Sequence, residues 1–473
     1  MKGMLRFVVQ APRWLFLGAL VYAPWAYGST RPWAINVLLV QLSLVLVLWL
    51  AGCALRRTWP VIPRVPVAFS CFLILQAWWM VLNAKYDEFF RVTLSEVLTW
   101  APGSVHRAAS LEIALRISIL LLAGLFVCDL VRGPHWRKRV LLTVALTGVS
   151  IAALGILQRV THAPGMFWGE PVEGGTFFAS YRYHANAGSF LNLAWPLVAA
   201  LFVIASHRAA PFGRFWGAAL ALGLAAMFVN SSRAAAVITM VLGMVWLAWL
   251  IRQYIKGRLR LAVNPAGVAA IGLGIILLLS VAYMFGGLDL SWKRWGELSG
   301  HLSKDNPRLL VAGVCWRLIP DAGVFGFGPG TFEAIFPYYT RDLGDAISGI
   351  WYFAHQDYLQ AILEWGWLGA AAWAALIFGA VIFAWRAKKR DSAQWSTSDR
   401  VYYFAILTAL LGVLLHAWVD FPLQIASIQL YVAVLVGMLW GSGDWCKAES
   451  KSKNVSEEPI YAHLAWNHLP GVL

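Results

Sequence analysis

Runs of about twenty apolar residues recur along the whole chain, and they restrict its fold more than any other feature. A helix needs roughly 20 such residues to cross a bilayer core about 30 Å thick. About twelve runs qualify, near 14–29, 34–54, 66–84, 112–131, 139–158, 187–206, 214–230, 233–251, 265–286, 357–385, 401–418 and 423–441. The expected fold class is all-α: a polytopic integral membrane protein with about twelve transmembrane helices. Only 13% of the 473 residues are charged, against roughly 25% in a soluble protein. The 27 tryptophans suit a chain with many ring anchors at lipid–water interfaces.

One stretch needs dividing. From Phe215 to Leu250 the only charge is Arg233. As a single helix it would be roughly 50 Å long, too long for one crossing. Asn230, Ser231 and Ser232 are turn formers in its middle. The stretch therefore reads as a hairpin with Arg233 at its tip.

The loops set the orientation. Arg56, Arg57 and Arg64 share one loop, and Arg132, Arg137, Lys138 and Arg139 the next but one. Arg208 and Arg214 follow, then Arg252, Lys256, Arg258 and Arg260, then Arg386, Lys388, Lys389 and Arg390. With Lys2, Arg6 and Arg13, all fall on one side of a twelve-span topology, and basic loops face the cytoplasm. Both termini are then cytoplasmic. The alternative for the N-terminus is a signal peptide ending near Ala26 and Gly28, which leaves the remaining topology unchanged. The net charge of +15 lies in these short runs, which is a membrane pattern and excludes nucleic acid as the partner. Cys53, Cys71, Cys128, Cys315 and Cys446 share no metal or redox spacing.

Three sizeable segments fall on the outer side: 85–111, 159–186 and 287–356. The last, between spans 9 and 10, is the longest and carries the best chemical candidates. His355 opens the tenth span, where a helix N-terminus disfavours a cationic imidazole. A neutral imidazole there suits a general base, or a capping or interfacial histidine. Asp357 is a first-turn carboxylate favoured by the helix dipole. Arg233, at the edge of the hydrocarbon, either grips phosphate oxygens with its fork or reaches lipid headgroups. Arg308 and Arg317 are nine residues apart, so on one continuous helix they occupy opposite faces. Gly326, Gly328 and Gly330 give a tight turn where backbone can approach something closely. No Lys-Ser/Thr follows, so the turn is not a P-loop. Arg182 and Asn186 precede the sixth span on the outer side; His416 and Asp420 bracket the outer end of the eleventh.

In this order the pieces resemble the O-antigen ligase and O-antigen polymerase superfamily of bacterial envelope enzymes. The resemblance covers mainly residues 180–370. It is carried by Asn186-Ala187-Gly188 before a span ending near Pro196, by Ser232-Arg233, by Arg308, and by Gly326-Phe327-Gly328-Pro329-Gly330-Thr331-Phe332. Pro337-Tyr338-Tyr339, His355-Gln356-Asp357-Tyr358-Leu359 and Glu364-Trp365-Gly366-Trp367-Leu368-Gly369 complete it. Two positions depart from the pattern. His184-Ala185-Asn186 stands where members often have Asn-x-Asn, and Gln356 where many have Asn.

The resemblance implies one transmembrane glycosyltransferase domain over 1–445; the tail over 446–473 is expected to be cytoplasmic from the loop charges and disordered from its polar composition. It implies an enzyme of the bacterial inner membrane with its active site facing the periplasm. The donor would be a glycan on undecaprenyl pyrophosphate, and the acceptor a hydroxyl of lipid A core. No nucleotide sugar, cofactor or metal would take part. His355 would be the base, with Arg233 and Arg308 on the pyrophosphate and Arg182 and Arg317 as further phosphate candidates. Asn186, the three turn glycines, Asp357 and Asp420 complete the expected substrate-binding set. Polymerisation of lipid-linked repeat units is the second expectation and transfer to a protein hydroxyl the third. A flippase or a non-catalytic assembly protein is the rival from another class. A transporter should carry ionisable residues near mid-membrane in several spans, and these spans are nearly free of charge.

The topology yields a first test. Alkaline phosphatase fused after Arg341 should be active, and fused after Lys389 inactive; the reverse pattern would remove the argument for a periplasmic site.

Overall fold

The computed structural model describes residues 2–87, 94, 97–210, 212–259, 265–296, 307–341, 347 and 349–445. The expected tail at 446–473, with Cys446, lies outside the described residues, as do Arg260 and parts of the outer segments at 88–93, 95–96, 297–306 and 342–346. Among the described residues the chain is helical throughout, with an isolated Phe178–Tyr181 bridge and no strand. The helices are α1 (Lys2–Trp25), α2 (Pro32–Leu55), α3 (Arg64–Leu82), α4 (Arg107–Leu130), α5 (Pro134–Val160), α6 (His184–His207), α7 (Gly213–Val229) and α8 (Arg233–Ile255). They continue with α9 (Pro265–Met284), α10 (Asp289–Gly296), α11 (Pro307–Ala322), α12 (Phe332–Thr340), α13 (Asp357–Arg390), α14 (Thr397–Ala417) and α15 (Ala426–Gly441).

Nine helical stretches among the described residues are long and apolar enough to span a bilayer: α2 to α6, α8, α13, α14 and the segment Ala426–Asp444. The chain is a multi-pass membrane protein. The other three expected spans correspond to α1, α7 and α9, and each departs for a local reason. Lys2, Arg6 and Arg13 lie in the first half of α1, which starts well before the expected position 14. The helix α7 is only 17 residues long. The end of α9 turns through 91° into α10. The hairpin expected at 215–250 is present. Ser231 takes a left-handed φ of 67°, and Ser232 caps α8 by accepting from the Ala235 amide.

The chain divides into two compact units. The first comprises Met1–Phe126, Trp292–Ile382 and Val413–Gly437; the second comprises Val127–Ser291, Phe383–Gly412 and Met438–Leu473. In the first, α1 packs on α2 through Phe16, Leu20, Leu38 and Leu42, all fully buried at helical spacing. Tyr431 and Ser427 of α15 donate to the Leu20 and Gly28 carbonyls, each at 2.7 Å. A second apolar cluster joins Val311, Cys315 and Leu318 of α11 to Phe332 and Phe336 of α12 and to Leu359 and Leu363 of α13.

In the second unit α6 is the buried centre. Asn192, midway along it, donates to the Ala235 carbonyl at 3.1 Å and accepts from Thr239 at 2.8 Å and Trp195 at 3.0 Å. These bonds fix α6 against α8. Arg137 of α5 pairs with Asp399 of α14 at 2.7 Å, both fully enclosed.

The helix α13 is interrupted at Gly366, where φ is 65°. Residues 324–330 dock on this break, with Phe327 N–H donating to the Leu363 carbonyl (2.8 Å), Gly328 N–H to Glu364 (3.1 Å) and Leu368 N–H to Val324 (3.1 Å). Two main chains lie against each other, and a Cβ on Gly326 or Gly366 would strike the opposing backbone. Gly323 also has positive φ but faces open space. Gly323→Ala should therefore cost only the left-handed conformation, about 1–2 kcal/mol. Gly326→Ala and Gly366→Ala add a backbone collision and should cost several kcal/mol, on the order of severe overpacking. Melting temperatures of the three variants in detergent would show this order; equal losses would mean that backbone contact does not hold the break.

Candidate active site

Within the first unit the start of α13 meets the 418–425 segment between α14 and α15, and the first turn of α11. His355 sits immediately before α13 with φ at 53°. A non-glycine residue there is strained, and strain of this kind tends to mark functional positions. Its Nδ1 lies 2.9 Å from Asp420 Oδ1. The Asp420 side chain is 4% exposed, that of His355 20%. Burial alone would push the Asp420 carboxyl up. The hydrogen bond from His355 and the nearby Arg308 guanidinium outweigh burial and hold it below its ordinary range. An ionised carboxylate only accepts, so Nδ1 is the donor and the imidazole lone pair belongs to Nε2. Trp351 and Phe421 set their rings edge-on to the imidazole, at 5.4 and 4.7 Å.

Arg308 completes the group, with its Nη1 4.0 Å from Asp420 Oδ2. The helix α11 buries Val311, Val314, Cys315, Leu318, Ile319 and Ala322, one stripe at helical spacing. Arg308 extends this stripe by one turn, which brings it to Asp420. Arg317 lies on the opposite face, as nine residues of continuous helix require. It is exposed, and its Nε reaches back to the Gly313 carbonyl.

The start of α13 supports this group through three buried polar side chains at positions i, i+3 and i+7. Asp357 accepts from the Leu423 amide and from Gln424, both at 2.8 Å, and so anchors the segment that carries Asp420. Gln360 accepts from the Ala354 amide at 3.0 Å, next to His355, and donates to Glu364 at 3.0 Å. Glu364 accepts from the amides of Gly330 (2.9 Å) and Phe332 (3.3 Å). Arg116, buried inside α4, acts on Glu364 and Glu112 as countercharge. Gln356 caps the helix by accepting from the Leu359 amide. His416, the residue four before Asp420, is fully buried, and neither ring nitrogen has a hydrogen-bond partner among the described residues.

The structure thus brings together His355, Asp420 and Arg308, with Asp357 behind them. The glycine turn is held by Glu364, and the space beside its three glycines is filled by protein: Glu364 and Gly366 at Gly326, Ser104 and Ser110 at Gly328, Ile113 and Ala109 at Gly330. Arg233, Arg182 and Asn186 belong to the second unit. Arg233 is the first residue of α8 and half-buried; Arg182 is exposed just before α6; Asn186 is buried in its first turn. Gln360 was not singled out from the sequence, and Glu364 appeared there only within a motif. The available signal was Asp-x-x-Gln-x-x-x-Glu on one face of an otherwise apolar helix. Among the described residues, no group of three or more His, Cys, Asp or Glu is placed to hold a metal.

The Glu364 contacts generate a stability prediction. Glu364→Ala would leave the Gly330 and Phe332 amides and the Gln360 amide group without their acceptor, at about 1–3 kcal/mol each if buried. A large loss of melting temperature in detergent is expected, whereas exposed Glu333→Ala should stay within about 0.5 kcal/mol of the parent. Equal melting temperatures for the two variants would show that Glu364 does not brace the turn.

No curated protein matches the chain. Residues 218–374 match the family model described as O-antigen ligase, a segment that contains Arg233, Arg308, the glycine turn and His355 but not Asp420. The activity supported at this level is glycan transfer of the ligase and polymerase type. Over this segment the chain is similar to the O-antigen ligase and O-antigen polymerase superfamily, and the match supports that family for its ligase-like core.

Proposed function

We propose that the protein transfers a glycan from undecaprenyl pyrophosphate to an acceptor hydroxyl at the periplasmic surface of the inner membrane, with lipid A core as the acceptor. The observation that carries this reading is the His355–Asp420 pair with Arg308 beside it. Asp420 fixes the imidazole so that Nε2 can take the acceptor O–H proton. The acceptor oxygen then bonds to the anomeric carbon as the bond from that carbon to the pyrophosphate oxygen breaks. The electron pair leaves with undecaprenyl pyrophosphate, and the configuration inverts. Arg308 stabilises the charge that grows on the leaving group. The transition state has oxocarbenium character, as in other glycosyl transfers. The glycine turn shapes the surrounding loop. Arg233 is proposed as a phosphate ligand and Arg182 and Asn186 as substrate contacts, on residue type and on their places at the helix starts of the second unit. Deletion of the gene followed by analysis of surface glycans tests the acceptor. Loss of capped lipid A supports ligation, and caps of a single repeat unit would replace it with polymerisation.

The division of labour can be tested in purified protein. His355→Ala should lose about 10²–10⁴ in turnover with donor binding little changed. Asp420→Asn should fall by a comparable factor, roughly as in other catalytic dyads whose imidazole is left in the wrong tautomer. Arg308→Ala and Arg233→Ala should weaken donor binding as well, with only partial rescue by Lys, since an ammonium has no bidentate fork. Arg317→Ala should be milder than Arg308→Ala. Single-turnover transfer and donor binding in nanodiscs measure each variant. Near-normal turnover by His355→Ala would move the base elsewhere.

Transfer should also proceed in excess EDTA. Activity abolished by the chelator and restored by magnesium or manganese would overturn the metal-independent mechanism.

A further inference from the structure

A basic cavity of about 230 Å³ opens in the second unit, where the C-terminal ends of α8 and α13 approach the start of α14. Trp249, Gln253, Arg258, Lys388, Ser392 and Arg400 line it. It is separate from the His355 group and has no part in the proposed reaction.

Its charge is one-sided. Arg252, Arg258 and Arg400 all act on Lys388 with the same sign. The carboxylates nearest in sequence are engaged elsewhere: Asp391 with Arg390 at 2.8 Å, and Asp399 with Arg137 at 2.7 Å. Among the described residues no ion pair joins Arg258, Lys388 or Arg400 to an acid. Two of the cations are nonetheless held in place. Lys388 Nζ lies 4.5 Å from the centre of the Tyr403 ring, and Arg400 donates to the Ser392 carbonyl at 2.5 Å. These two held cations and Arg258 at the rim repel one another around one cavity unless an anion joins them.

The floor and flanks are apolar. Trp249 stacks on Phe404 at 4.3 Å with an interplanar angle of 8°. Leu247, Ile251 and Trp385, on the adjoining helix faces, are each at least half exposed. A tetrahedral anion with several acceptor oxygens suits two guanidinium forks and an ammonium. An anion that also carries hydrocarbon suits the exposed apolar faces beside them. Basic pockets between transmembrane helices recognise lipid headgroups in this way.

We propose that this cavity is a binding site for a phosphate group, carried by an anionic phospholipid of the leaflet at the basic end of α8 and α13. The full chain in detergent would be titrated with dioleoylphosphatidylglycerol, dioleoylphosphatidylcholine and inorganic phosphate, read by native mass spectrometry and by melting temperature. Phosphatidylglycerol should be retained and should stabilise the protein, and phosphatidylcholine should not. Each of Arg258→Gln and Lys388→Gln should weaken phosphatidylglycerol binding by about fivefold, the usual effect of one cation near a membrane surface. Lys256→Gln, exposed and outside the cavity, should change nothing. Arg258 lies at the exposed rim, so its variant keeps the test valid if Lys388→Gln fails to fold. Stabilisation by inorganic phosphate alone, lost in Arg258→Gln, would keep the site and make its ligand soluble. Equal binding of both lipids with no effect of either cavity variant, and no effect of phosphate, would overturn the proposal.

Discussion

Backbone polar groups that leave a helix inside a membrane protein must find partners within the protein. The break in α13 at Gly366 is the place where this requirement organises the first unit. Residues 324–330 supply the partners: the Val324 carbonyl takes the Leu368 amide, and Gln76 donates to the Trp365 carbonyl at 2.8 Å and to that of Phe325 at 3.3 Å. Two irregular segments thus satisfy each other, with glycine at the points where they touch. The consequence reaches the candidate site. With the turn docked, the Gly330 and Phe332 amides face Glu364, and α12 is placed to complete the apolar cluster that holds α11. The position of Arg308 therefore depends on a glycine contact some distance along the chain from it.

The start of α13 does the complementary work. One face carries Asp357, Gln360 and Glu364, each bonded to a different segment outside α13. A polar stripe in so apolar a helix is unfavourable unless every member is satisfied. Here the partners outside the helix are the amides of Leu423, Ala354, Gly330 and Phe332 and the Gln424 side chain. The carboxylates and amide thus direct their hydrogen bonds to the connecting segments, among them the two that carry His355 and Asp420. The left-handed conformation of His355 persists because both sides of it are held: Ala354 by Gln360, and the following helix by its Gln356 cap.

Much of the fold was legible because hydropathy has a long wavelength. Runs of about twenty apolar residues need no tertiary information to be read as helices. The hairpin at Asn230-Ser231-Ser232 followed from helix length and turn-forming residues, and the opposite faces of Arg308 and Arg317 from helical periodicity. Other features were hidden for physical reasons. Gly366 lies inside an apolar run, so nothing in its immediate neighbours distinguishes a break from a small packing residue. Asp420 meets His355 across 65 positions of sequence, and pairing at that distance leaves no local pattern. Asp357 looked like a residue serving the helix dipole, whereas its carboxylate anchors Leu423 and Gln424. The turn glycines were read as a close approach, correctly, but what approaches is the backbone of α13 and the side chains of α4 and its preceding loop.

The exposures of the three grouped residues follow an order that fits the proposed reaction. Asp420 is 4% exposed, His355 20% and Arg308 45%. A carboxylate that only orients an imidazole has no need of solvent, and burial keeps its hydrogen bond unscreened. A base must meet an acceptor and so stands partly open. The cation is the most exposed, and its 4.0 Å separation from Asp420 is long for a bidentate pair. Such a partly solvated contact contributes little by itself. Had Arg308 formed a short buried fork with Asp420, anion binding would have left an uncompensated carboxylate in the interior, a costly arrangement. The loose ion pair and the tight imidazole bond on one carboxylate thus divide its two oxygens: Oδ1 holds the imidazole of the proposed base, and Oδ2 lends Arg308 a countercharge.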